Sequence, residues 1–481
     1  MNDSKAIKAS IGYTVGNYLL KGLSFLTIPI FARLLSTEDY GTVNTFGAYE
    51  SIMFVIIGFA IHASYKNARY KYQMIAEGAN PGQDYRTYVS NSFCLIWISG
   101  GVWFLLTLFF RNQVLQLIKL DYILVLLVII YSTCNAIVVA FNSDVSINYE
   151  YKKYLTIAGI NSIGNILISL ALIYWVWPQK RYIGRIVGTI APIAFIAVYL
   201  TANQIKRNKP VNFRIMIKWG LKYSFPIVPH GISQVILSSF DRIMITNMVS
   251  NVATGLYSFS YNIFVIIQVT ASSLDTVWGP WFYEKRKNSE FQLIKRISSY
   301  YIFFLLAFAS VIMLISPELI LILGGEKYID SVYCVVPIVC GGFFAMLYNI
   351  PASVEYYHEE TKYIASATLS AALVNVAMNY FFIKKFGYIA ASYTTFSTYL
   401  LYFIFHFVLS YKIERRCLFS KKAIICSVIG ILLIAFVSLL TLHLVMIRLV
   451  VAIVLLIIGL YFEEKQFEMG RRIIKRIMRR S

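Results

Sequence analysis

An all-α, polytopic membrane protein is the fold class this sequence predicts, and three observations predict it. The 481 residues are 58% hydrophobic and only 14% charged, with a mean hydropathy of +0.65. A water-soluble domain of that composition would leave too much apolar surface uncovered. Apolar runs of about twenty residues, the length that crosses a bilayer, recur from Ala9 to Phe462. Most of the 44 Lys and Arg fall in alternate connections and at the two termini. The formal net charge of +21 therefore follows the positive-inside rule, with both termini cytoplasmic, and does not mark a nucleic-acid surface.

The first predicted span, 9–35, sets the terms for the rest. Lys21 lies near its middle, too deep to snorkel with ease, and Pro29 follows two turns later. A lysine at that depth needs a wet or polar surrounding. The proline needs neighbouring protein or water for the carbonyl it frees. This helix is expected to bend and to line a cavity. It is too long for a signal-peptide core and no small-residue cleavage site follows, so it is expected to be retained.

Further spans are predicted at 40–63, 88–110, 122–141, 154–176 and 182–203, which with the first make a six-helix lobe, 1–205. A basic inner linker, 206–219, is expected to act as a hinge. A second six-helix lobe, 220–411, holds spans at 220–249, 253–278, 297–315, 332–354, 363–383 and 388–409. Two more spans, 423–440 and 445–462, fill 412–462 and bring the total to about fourteen. The segment 463–481 places Ile473, Ile474, Ile477 and Met478 among arginines and lysines, the pattern of an amphipathic helix on an anionic leaflet. Trp175 and Trp177 are expected at one interface, and Trp219, Trp278 and Trp281 at the other. The six cysteines have no metal-ligand spacing, and His358-Glu359-Glu360 reads as an inner-loop charge run without a second histidine for zinc.

The two sets of six repeat one another weakly. Lys153-Tyr154-Leu155-Thr156-Ile157-Ala158 opens the fifth span and Lys362-Tyr363-Ile364-Ala365-Ser366-Ala367 the eleventh. Tyr182-Ile183-Gly184 and Tyr388-Ile389-Ala390 follow each at a matching distance, and Pro29 is answered by Pro226 and Pro229. Parallel repeats of an even helix number are related by an axis along the membrane normal, the plan of an alternating-access transporter.

The chain resembles the polysaccharide flippase family, the Wzx-like O-antigen and capsule transporters, within the superfamily that includes lipid II flippases and multidrug antiporters. The resemblance rests on Lys21-Gly22, Pro29, Arg33-Leu34-Leu35-Ser36 and Asp39-Tyr40-Gly41, then Pro226, Asp241-Arg242 and Gly255-Leu256-Tyr257-Ser258. It implies a flippase that carries polyprenyl-pyrophosphate-linked oligosaccharide across the bacterial cytoplasmic (inner) membrane for surface polysaccharide synthesis. The implied partners are that lipid-linked oligosaccharide, membrane lipids, and a polysaccharide polymerase with its chain-length regulator; no nucleic acid and no cofactor is expected.

A diphosphate crossing the bilayer needs fixed cations, because isolated charge in hydrocarbon costs many kcal/mol. Lys21 is the first candidate, with a structural ion pair to Glu50 as its alternative, and Arg242, Arg33 and Arg185 follow. Asn17, Asn44, Tyr49, Tyr257, Tyr261 and Asn262 are candidates to face the sugars, against bundle packing as the plainer reading. Glu50, Asp241 and Asp275 are candidates for coupling to a proton or sodium gradient. Two other functions fit less well. A cation-coupled drug antiporter of the same superfamily has no need of a mid-depth lysine. A polysaccharide polymerase needs longer outer loops, and no catalytic constellation is found.

Overall fold

The computed structural model describes residues 3–76, 84–455 and 457, with side chains from residue 12 onward except 14, 17, 73–76 and 271. The predicted basic tail, 463–481, lies outside the described residues. The chain folds as α1 (Asp3–Leu34), α2 (Thr37–Gly58), α3 (Tyr65–Ala76), α4 (Tyr85–Phe109), α5 (Arg111–Leu117), α6 (Tyr122–Ile147), α7 (Tyr151–Ala171), α8 (Arg181–Arg207) and α9 (Phe213–Ser224). Then come α10 (Val228–Met248), α11 (Asn251–Lys287), α12 (Phe291–Leu314), α13 (Ser316–Leu323), α14 (Val332–Leu347), α15 (Asn349–Tyr357), α16 (Thr361–Phe386), α17 (Ile389–Glu414) and α18 (Lys421–Leu440). No strand occurs among the described residues, so the all-α class holds.

Ten helices among the described residues are long and apolar enough to cross a membrane. The bent pair Thr37–Gly58 and Ile61–Tyr72, angled by 48°, makes an eleventh if counted as one span. Of the sequence-predicted spans, α10 misses this apolarity mark, and the last is described only as the short helix Val445–Leu455. His230, Asp241 and Arg242 dilute α10. A polar helix of this kind needs polar or wet neighbours at membrane depth.

Contacts divide the chain into two compact units, 1–255 and 256–481. In the first, α6 packs against α2, α4 and α8, and a core of Ile57, Tyr65, Tyr88, Phe93, Ile137 and Ile196 closes one end. In the second, α14 is buried along nearly its whole length against α17. Helix α10 falls in the first unit, running along α2 with Thr45 Oγ1 2.6 Å from Thr246 Oγ1. The expected linker 206–219 is largely helix, and its bend is pinned to α4. There Ser90 Oγ donates to Asn208 O at 2.7 Å and Asn91 Nδ2 to Val211 O at 2.7 Å.

The corner after α1 explains the run Arg33 to Gly41. Helix α1 passes Pro29 unbroken and ends at Leu34, whose carbonyl accepts Nη1 of Arg181 at 2.7 Å. Ser36 then caps α2 reciprocally: its Oγ accepts the Asp39 N–H at 3.0 Å and Asp39 Oδ2 accepts the Ser36 N–H at 3.3 Å. Gly41 is required by proximity. A Cβ there would fall 1.9 Å from the Asn251 carbonyl oxygen, and one on Gly255 would fall 2.0 Å from that of Thr37. These two close approaches seat the start of α2 on the start of α11.

Trp278 is buried inside the second unit, its Nε1 donating to Ser353 Oγ at 2.8 Å, whereas Trp175 is 83% exposed. His358, read as part of a loop charge run, is an ion-pair partner described below. The second unit also holds a buried cation that the hydropathy pattern hid. Arg448, 1% exposed, forks onto Glu318 (2.8 and 3.0 Å) and donates to Leu314 O and Thr441 O. It ties the helix 445–455 to the C-terminal ends of α12 and α18 and to the start of α13. Arg448→Leu should strand the Glu318 carboxylate and two carbonyls and destabilise the unit by about 3–5 kcal/mol. Thermal unfolding of the detergent-solubilised protein should show it, and an unchanged melt would contradict this anchoring role.

Candidate substrate site

Two of the charged groups singled out from the sequence, Glu50 of α2 and Arg185 of α8, lie within electrostatic reach of Tyr131 on α6. Arg185 sits one turn into α8, between Gly184 and Gly188, where α8 lies so close to the chain 169–173 that a Cβ on Gly188 would meet Ser169 at 2.4 Å. That approach sends the arginine across α7. Its Nη1 donates to Asn165 Oδ1 and, at 3.0 Å, to Ser169 Oγ, and its guanidinium lies 3.8 Å over the Phe31 ring of α1. Thr189 Oγ1 completes the polar set, 3.4 Å from Asn165 Oδ1. All these ligands are neutral, and among the described residues no carboxylate pairs with Arg185. A π-helical turn at Leu172–Val176 shapes the neighbouring end of α7, a feature common at functional sites.

Glu50 is the opposite case in the same unit. It is 7% exposed, its Oε1 accepts from Asn135 Nδ2 at 2.9 Å, and no cation pairs with it among the described residues. Tyr131, stacked on Phe46, is within electrostatic reach of both Glu50 and Arg185. A carboxylate and a guanidinium are thus held in one interior, each on neutral partners. Burying two such charges apart is costly, which favours a role for them beyond packing.

Lys21 is exposed on α1 and makes no ion pair among the described residues, so the Lys21–Glu50 bridge raised as its alternative is not formed. Arg33 is exposed at the end of α1. On α10, Asp241 is 1% exposed, while Arg242 is half-buried and donates to Ser238 O at 2.7 Å. Asp275 is on α11 in the second unit, receiving Asn349 Nδ2 at 2.6 Å and Tyr301 Oη at 3.3 Å.

The sugar-facing candidates scatter. The Asn17 side chain lies outside the described residues. Asn44 is half-buried and donates to Tyr40 O one turn back at 2.8 Å, and Tyr49 packs beside Phe46 within reach of Asn247. Tyr257 and Tyr261 are buried in the second unit with their hydroxyls 3.3 Å apart, and Asn262 beside them is half-buried. Sequence reasoning missed Glu355 and His406, a fully buried pair in the second unit. The only signal was a lone acid and a lone histidine in two apolar spans.

A multi-pass membrane bundle with ionic groups held in its interior is the class that this fold and site define. The same fold is found in solved transporters. A lipid II flippase in an inward closed conformation matches with a TM-score of 0.72 at 17% identity, covering 96% of this chain and 100% of that one. An inward-facing multidrug transporter of the MATE family matches at 0.60 and 15% identity, covering 82% of this chain and 95% of that one. The chain belongs to the polysaccharide biosynthesis protein family, whose sequence profile matches residues 7–286. A protein of the Lsg locus of Haemophilus influenzae is 20% identical over 386 residues, 78% of this chain and 90% of that protein.

Proposed function

We propose that this protein is a flippase that moves polyprenyl-pyrophosphate-linked oligosaccharide across the bacterial inner membrane by alternating access. The termini lie in the cytoplasm and the two lobes, 1–205 and 220–411, rock about the linker and expose the site to each side in turn. The observation that carries the reading is Arg185, a cation in the first unit surrounded by neutral hydrogen-bond partners and free of any carboxylate among the described residues. Such a guanidinium retains its capacity to bind an anion, and its planar fork suits phosphate oxygens. Lys21, exposed and unbridged, supplies a second cation. Arg242 and Arg33 extend the basic track, and Asn44, Tyr49 and Asn262 are the polar groups nearest to solvent for the glycan. The family and the flippase-like fold support the substrate class.

The test is a leaflet assay in vesicles with defined lipid-linked oligosaccharides. Translocation that depends on the protein supports the reading. Absence of translocation, together with gradient-driven extrusion of small organic cations, would establish the drug antiporter in its place. Rocking has its own check. A cysteine introduced at Asn44 should be labelled by an impermeant thiol reagent from one side or the other as substrate supply changes; labelling from one side under all conditions would rule it out.

A further inference from the structure

We propose that Glu355 and His406 form a proton-binding site in the second unit, filled and emptied as the protein cycles; the cycling, though not the site, rests on the transport reading above. His406 Nδ1 lies 2.6 Å from Glu355 Oε1, and both side chains are fully buried. The other two heteroatoms, Glu355 Oε2 and His406 Nε2, are buried with no hydrogen-bond partner among the described residues. A pair built only for stability would satisfy those atoms, because an unmet buried polar group costs about 1–3 kcal/mol. Tyr402, Phe405 and Tyr348 wall the imidazole at ring distances of 4.5, 5.3 and 5.4 Å and keep bulk water away.

The proton balance follows from the atoms. The Nδ1–Oε1 contact requires one proton on one of its two atoms. With Nε2 bare, the pair carries a net charge of −1. One further proton, taken from water and bound at Nε2, makes the pair neutral; release returns that proton to water and leaves every other bond intact. A neutral pair is far cheaper to bury than a charged one. Proton occupancy is therefore linked to hydration: a dry arrangement favours the loaded pair, and a wetted one favours release. By reciprocity, a proton bound there stabilises the dry conformation.

Two features flank the pair. The second imidazole–carboxylate contact joins the same two helices nearer their ends. His358, which caps α15, has Nε2 3.0 Å from Glu414 Oε1 at the end of α17, and Arg286 Nε of α11 donates to that oxygen at 2.6 Å. Glu414 Oε2 is again unpartnered among the described residues, and the His358 side chain is 33% exposed. On the other flank, a mainly apolar cavity of about 200 Å³ between α16 and α17 is lined by Ser366, Ser370, Val374, Leu401, Tyr402 and Phe405. Two of its walls, Tyr402 and Phe405, are the rings that cover His406. Among the described residues, the other ionisable groups around the pair are Tyr356 of α15 and, one shell further out, Tyr399 of α17 and Asp275 of α11 beside Tyr348 and Tyr283 of α11 beside Tyr356.

The experiment uses the full chain in lipid vesicles and two variants, Glu355→Gln and His406→Gln. Glutamine at 355 keeps a carbonyl to accept the imidazole N–H, so the contact survives without an ionisable acid. Thermal melts confirm folding of both. The first readout needs no substrate: infrared difference spectra on acidification should show carboxyl and imidazole bands that both variants lose. The second is the ratio of lipid-linked oligosaccharide translocation with and without a pH gradient, which should exceed one in the wild type and fall to one in each variant. Spectra that either folded variant leaves unchanged would overturn the proposal. Spectral loss in vesicles where even the wild type moves no lipid-linked sugar would uphold the proton site and defeat the flippase reading.

Discussion

Lys21→Ala lowers translocation of lipid-linked oligosaccharide about ten- to hundred-fold while leaving insertion and folding intact. The expectation follows from what Lys21 does not touch. It is exposed and makes no ion pair among the described residues, so truncation removes no native bond and should change stability by less than about 0.5 kcal/mol. A passing diphosphate, in contrast, loses a charged partner in a medium of low dielectric, where a charge-assisted bond contributes about 1.5–3 kcal/mol. That range alone is roughly a ten- to hundred-fold loss of rate. Lys21→Arg keeps the charge and should retain measurable transport. The check is complementation of surface polysaccharide synthesis, with membrane abundance measured in the same cells. Normal complementation by Lys21→Ala would remove this residue from the site.

The helical class and the length of the spans were open to reading from the sequence because hydrocarbon imposes them, whereas the expected total of about fourteen stands against ten or eleven spans among the described residues. Backbone polar groups must be satisfied within each span, so apolar run length reports the helix directly. One exception is instructive. Helix α10 carries His230, Asp241 and Arg242 and falls below the apolarity of a lipid-facing span, so it is not among the ten or eleven spans that composition counts in the described residues. The corner motif from Arg33 to Gly41 was also visible, but its meaning was not. Ser36 and Asp39 cap α2, and Gly41 permits a backbone approach, so much of the motif is architecture.

Partner identity was hidden. Glu355 and His406 are 51 residues apart in the chain, Arg448 and Glu318 are 130 apart, and His358 and Glu414 are 56 apart. A hydropathy pattern gives depth along a helix and leaves the facing neighbour undetermined, because every face of a membrane helix is apolar. The Lys21–Glu50 pairing was a guess of the same kind from shared depth. Glu50 turned instead to Asn135 on α6. The same limit applies to the aromatic residues: Trp278 and Tyr257 have the composition of a belt or a sugar platform, yet both are packed inside the second unit.

Arg185 carries the second large effect. Its guanidinium is held by Asn165 and Ser169 on one side and the Phe31 ring on the other, so its orientation is fixed before any ligand arrives. Preorganisation of this sort favours anion binding because little rotamer entropy remains to be lost. Lysine at 185 would keep the charge but could not reproduce the planar fork, and its compact ammonium would leave Asn165 or Ser169 unserved. Arg185→Lys should therefore reduce translocation about ten-fold and Arg185→Ala about a hundred-fold, one and two steps of ~1.4 kcal/mol. The order of the two variants is the same as at Lys21, but the conservative exchange that is tolerated there is costly here. If both cations hold the same diphosphate, the double variant Lys21→Ala, Arg185→Ala will lose less than the sum of the two single losses. Strict additivity in the vesicle leaflet assay would mean that they act on separate parts of the substrate, and equal activity of Arg185→Lys and wild type would show that fork geometry is irrelevant to recognition.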